Sequence, residues 1–124
     1  MAQVLTWEQL PRFDSTRDGR ARIDIINAEL MGVDTVRGDI IVYRPGDSAA
    51  KHYHADADHF FYVLRGSGRL YVNGQEHALG PGSVVRVEAG EVHWFENPTQ
   101  EEFSFLELWV PAPQETVWID ENDR

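Results

Sequence analysis

Apolar residues recur along this chain in short runs that alternate with polar ones, and turn-forming residues separate the runs. The runs are Arg22–Leu30, Asp39–Tyr43, Phe60–Leu64, Leu70–Val72, Val84–Val87, His93–Glu96 and Phe103–Val110. Between them stand Arg44-Pro45-Gly46-Asp47, Gly66-Ser67-Gly68, Asn73-Gly74, Gly80-Pro81-Gly82 and Ala89-Gly90. Successive side chains of a strand point to opposite faces, so a period of two buries one face and wets the other. Short strands at this spacing predict an all-β sandwich or barrel. Asn73-Gly74 predicts a hairpin turn, because both central residues of a type I′ turn need positive φ. No stretch between residues 21 and 110 keeps a period of 3.6, which predicts no helix there. Thr6–Leu10 is expected to form one helical turn, and the tail 111–124 to pack through Val117, Trp118 and Ile119 and then fray.

Length and charge narrow the picture. The 124 residues suit one domain over 1–124, with a barrel core at about 21–110, an N-terminal segment 1–20 and a tail 111–124. A formal net charge of -10 argues against nucleic acid and anionic membranes as partners, because both need a basic footprint. With no cysteine, the chain has no disulfide, no thiolate ligand and no cysteine nucleophile. The N-terminal residues lack the basic and apolar regions of a signal peptide, and no apolar run approaches the ~18 residues of a membrane helix. A cytoplasmic protein is the expectation.

Four of the five histidines form a pattern. His52 and His54 are two apart, so on a strand their imidazoles share a face. His59 opens the next run and His93 a later one. Imidazole suits Mn, Fe, Co, Ni, Cu and Zn. A His-x-His pair alone is more often two partly exposed edge-strand residues; the glycines around it change the reading. The first block is Gly46-x5-His52-x-His54-x4-His59-x6-Gly66, and the second is Gly82-x5-Glu88-x-Gly90-x2-His93-x3-Asn97. In order and spacing they resemble the two signature motifs of the cupin superfamily, over about residues 40–110. His59 stands where those motifs usually have Glu, and Glu88 where they usually have Pro. His77 lies outside both blocks and reads as a surface residue.

The resemblance implies a double-stranded β-helix (jelly-roll) barrel holding one divalent transition metal per chain, Mn, Fe, Ni, Cu or Zn. The implied ligands are His52, His54, His59 and His93; the alternative is a three-histidine site with His59 as filler. Four neutral ligands would leave the metal its full charge and favour anionic oxygen ligands. By strand alternation Phe61 shares a face with His59, and Phe95 shares one with His93. Phe103, Phe105, Glu107 and Trp109 form one face of the last long run. By resemblance this strand crosses the barrel, so Phe61, Phe95, Phe105 and Trp109 would wall a substrate pocket and Glu107 would be a candidate general base. The competing reading makes Phe105 ordinary core and Glu107 an exposed charge. The implied activity is of dioxygenase type on a small diketone, phenolic or enolisable substrate. The alternatives are a non-redox lyase, isomerase or cyclase, or a non-catalytic binding module. A homodimer is also implied.

Overall fold

The computed structural model describes residues 1–16 and 18–119. Its strands are β1 (Arg12–Asp14), β2 (Arg20–Ile26), β3 (Arg37–Tyr43), β4 (His52–Tyr53), β5 (Asp58–Arg65) and β6 (Gly68–Val72). They continue with β7 (Gln75–Leu79), β8 (Val84–Val87), β9 (His93–Glu96), β10 (Phe103–Val110) and β11 (Val117–Trp118). Two sheets form, one in the order β1-β2-β3-β10-β5-β8 and the other β11-β4-β9-β6-β7. This is the all-β jelly-roll architecture expected from the run spacing and the two blocks.

Alternation places the core. On β5, His59, Phe61 and Val63 are buried while Phe60, Tyr62 and Leu64 are exposed. On β10, Phe103, Phe105, Glu107 and Trp109 are buried at every second position. Both sheets feed one apolar cluster, which includes Ile41, Tyr43, Val63, Leu70, Phe95 and Phe105. Its rings meet at offset or edge-on angles, with Phe95 and Phe105 centroids 4.5 Å apart and Phe61 and Phe105 5.3 Å apart.

Asn97, the last residue of the second block, is 1% exposed. Its Nδ2 donates to the carbonyls of Tyr43, Arg44 and Glu101, and its Oδ1 accepts from Thr99. One side chain thereby satisfies several orphan backbone groups where β3 and β9 leave the barrel. Gly66 is needed for two reasons: its φ is +74°, and a Cβ there would collide with the Glu102 carbonyl. Asn73 (φ 48°) and Gly74 (φ 83°) make the expected left-handed hairpin turn.

Two expectations need correction. The run Arg22–Leu30 is not one strand, because β2 ends at Ile26 and a single helical turn, α1 (Ala28–Met31), follows. Asn27 Oδ1 caps that turn by accepting from Leu30 N, and Gly32 closes it in the left-handed region. One turn is too short to leave a period, so the expectation of no helix between 21 and 110 fails there. The polar strand β7 was also absent from the predicted runs. The N-terminal turn appears as a 3-10 helix at Trp7–Gln9, and β11 docks the tail on β4. The fraying expected beyond Ile119 lies outside the described residues.

Candidate metal centre

The two blocks bring the four histidines to one end of the barrel. His52 lies on β4 directly across from His93 on β9, and His54 follows two residues after His52. His59 comes from β5 in the opposite sheet, paired with Trp109. All four are buried, none more than 4% exposed.

Three of them converge. A ring nitrogen from each of His52, His54 and His93 falls within 4.8 Å of the others. The outer nitrogens are held by backbone, with His52 Nδ1 2.9 Å from the Ala50 carbonyl and His93 Nδ1 3.0 Å from the Glu91 carbonyl. Since a carbonyl only accepts, these Nδ1 atoms carry the proton and their Nε2 lone pairs face inward. His54 Nε2 and His93 Nε2 are buried with no hydrogen-bond partner. Such orphaned nitrogens call for an explanation, and convergent imidazole lone pairs fit a divalent transition metal.

His59 stands differently. Its ring centroid lies 5.4 Å from that of His54 and 5.3 Å from that of His93. Its Nε2 makes a 2.8 Å hydrogen bond to Glu107 Oε2, and its Nδ1 is buried without a partner. Trp109 stacks on the ring at 4.3 Å.

Burial decides the charge states. It pushes His52 and His59 well below the ordinary histidine pKa; the neighbouring His93 adds to this at His52, and His54 at His59. Burial also lowers His54, and it lowers His93 to about 3 with help from His59. Near neutral pH the four rings are therefore uncharged and present lone pairs. Glu107 is raised by burial. Asp39, directly opposite it across β3 and β10, is raised well above the carboxylate range by burial and by Glu107.

A cavity of about 530 Å³ opens onto this end, and His52, His54, Glu107 and Trp109 line it. Glu107 is thus an inward carboxylate beside the histidines, not an exposed charge. Of the four aromatic residues expected to wall a pocket, Trp109 lines this cavity. Phe61, Phe95 and Phe105 sit in the apolar cluster beneath, where Phe61 lies against the His59 ring at 4.0 Å. His77 is exposed, as expected. Sequence reasoning passed over Arg20, Arg22, Arg37 and Trp118, which line the same cavity. Arg20 and Arg22 pair across β2 and β3 with Tyr43 and Ile41; only that long-range pairing turns them toward the cavity, and local alternation carried no signal of it.

No helix among the described residues is long and apolar enough to cross a membrane. Several relatives bear on this geometry. An uncharacterized protein of Aquifex aeolicus is 37% identical over 65 residues, 52% of this chain, and the chain spans about half (53%) of its length. An oxalate-binding protein of Thermotoga maritima is 25% identical over 104 residues, 80% of this chain and 84% of its own. Quercetin 2,3-dioxygenase of Bacillus subtilis is 40% identical over 48 residues, 39% of this chain but 14% of that enzyme. Among solved structures, the polyketide cyclase RemF from Streptomyces resistomycificus superimposes with a TM-score of 0.82 at 21% identity, covering 97% of this chain and 87% of RemF, a likeness of fold. Residues 39–111, which carry both histidine blocks, match the cupin domain; the chain belongs to the cupin family.

Proposed function

We propose that this chain is a metal-dependent enzyme that holds one divalent transition metal through His52, His54 and His93. His59 completes the set through its remaining nitrogen, and the substrate is a small enolisable, oxygen-bearing molecule. The observation that carries the reading is the convergence of buried, unpartnered imidazole nitrogens beside an open cavity that also contains a buried carboxylate. A bound metal would supply Lewis acidity toward substrate oxygens.

The chain's own groups do the rest. His59 donates from Nε2 to Glu107 Oε2, which fixes both side chains and leaves Nδ1, buried without a hydrogen-bond partner, as its remaining nitrogen. Glu107 lines the cavity, and burial makes its carboxylate a stronger base than an exposed one. It takes a proton from the carbon next to a bound carbonyl and returns it at the same or a neighbouring atom. Trp109 and Trp118 flank the cavity and limit how a substrate can lie beside Glu107. Proton removal and return of this kind is isomerase chemistry, and the same enolate is the first intermediate on the route to a lyase or cyclase product; it consumes no oxygen.

The second reading is a dioxygenase, supported by the 40% identity to quercetin 2,3-dioxygenase over 48 residues. One experiment separates the two. Protein purified without an affinity tag is assayed for metal, then incubated anaerobically in D2O with 2-oxovalerate while NMR follows exchange of the hydrogens next to the carbonyl. The proposal expects exchange without oxygen and its loss in Glu107→Gln at unchanged metal content. Exchange equal in Glu107→Gln, or turnover only with oxygen uptake, would replace it by the dioxygenase reading.

A further inference from the structure

The cavity at the histidine end has a charged wall that the proposed chemistry does not use. Arg20 and Arg22 reach it from β2, and Arg37 from the start of β3. In a chain of net charge -10, three of its 11 basic residues line one cavity. Each guanidinium is braced on an aromatic ring: Arg20 lies 5.7 Å from the centre of Trp118, Arg22 4.7 Å from Phe13 and Arg37 4.9 Å from Trp109. Trp118 and Trp109 also flank the histidines, at 4.9 Å from His52 and 4.3 Å from His59. The arginines are therefore held in place relative to the metal centre, which lowers the ordering cost of a ligand contact.

Their acidic partners stand behind them. Arg20 pairs with Asp18 at 3.2 Å and Arg22 with Asp24 at 2.8 Å, both through Nε. Arg37 Nη2 is 3.9 Å from Asp39 Oδ2, too far for a hydrogen bond. Neither Asp18, Asp24 nor Asp39 is among the residues lining the cavity, where Asp14 and Glu107 are the acidic groups.

From this arrangement we infer that the substrate is dianionic, with one oxygen-bearing end on the histidine centre and a second carboxylate or phosphate bound by Arg37 together with Arg20 and Arg22. The inference rests on the metal-centred reading above and deepens it. A planar guanidinium presents parallel N–H donors that match either anion, and an arginine braced by stacking is suited to that task where a mobile lysine is not.

The test compares pairs of ligands that differ only in the distal anion: 2-oxoglutarate with 2-oxovalerate, and dihydroxyacetone phosphate with dihydroxyacetone. Affinities are measured by calorimetry with the protein as purified and after loading with zinc, in the wild type, Arg37→Gln and Arg22→Gln. Wild type should prefer the member that carries the distal anion in at least one pair by roughly tenfold to a hundredfold, as a charge-assisted contact supplies. The pair that shows the preference tells carboxylate from phosphate. Arg37→Gln should erase most of that ratio while binding of the member without the distal anion is kept; Arg22→Gln gives the same readout if the first variant fails to fold. Ratios near one in both wild-type pairs, or ratios unchanged in the folded variants, would overturn the inference. Zinc uptake, read separately by elemental analysis, tests the metal reading, so the two can fail independently.

Discussion

Strand β10 runs through two environments, and the contrast between its ends explains the molecule. Phe103 and Phe105 point into an apolar cluster in which each ring packs on others. Two and four residues on, on the same face, Glu107 and Trp109 point into the histidine end. Among the described residues, His54, His59, His93 and Trp109 have buried ring nitrogens without a hydrogen-bond partner, and none of them is in the apolar cluster. One end of the barrel is thus built for stability, and the other keeps desolvated polar groups that destabilise it until something binds.

The largest break in that comparison should come from acid. The four buried histidines have folded pKa values depressed below the ordinary ~6.5. A group of this kind costs nothing above its unfolded pKa, where both states are neutral. Stability is lost as pH falls below ~6.5 toward the folded value, about 3 for His93. Each histidine contributes up to ~1.4 kcal/mol per pH unit over that window. Asp39 and Glu107, raised by burial, act in the opposite sense, two groups against four. Denaturant midpoints of the metal-free protein should therefore fall steeply from pH 7 to 5; a flat profile would count against neutral buried histidines.

Truncating the other end, Phe105→Ala, should cost about 3–5 kcal/mol, the usual loss for a fully buried aromatic ring. Urea melts check it, and a loss under about 1 kcal/mol would mean that the cluster collapses around the gap. Asp39→Asn should do the reverse. Asp39 is 0% exposed, and burial together with the facing Glu107 raises it well above the carboxylate range. Its raised pKa means stability is lost as pH rises through the folded value, so the amide should stabilise by about 1–3 kcal/mol, with more gain at pH 8 than at pH 5. Equal or lower stability at pH 8 would show that the carboxylate is satisfied. At the small end, His77→Ala should change stability by less than about 0.5 kcal/mol, because that ring is exposed on β7.

How much of this was legible in the sequence follows the same divide. The runs Val84–Val87, His93–Glu96 and Phe103–Val110 match β8, β9 and β10 residue for residue, since alternation against a shared core leaves a clear signal. β7 left none: of Gln75–Leu79 only Leu79 is buried, so an edge strand reads as a polar loop. The histidine cluster was visible because glycines and Asn97 fix the turns that set its spacing. Arg20, Arg22, Arg37 and Asp39 were not, because a charge on a strand reads as solvated until a neighbouring strand covers it. Asp39 owes its burial to β2 and β10 on either side, a long-range pairing that no local pattern encodes.

The metal centre depends on the convergence of His52, His54 and His93, and elemental analysis of tag-free protein tests it most directly. After incubation with zinc and removal of excess metal by gel filtration, the wild type should carry about one zinc per chain. His93→Ala, folded by circular dichroism, should carry close to none. A folded His93→Ala that retains the full equivalent, or a wild type that takes up none, would contradict the metal centre.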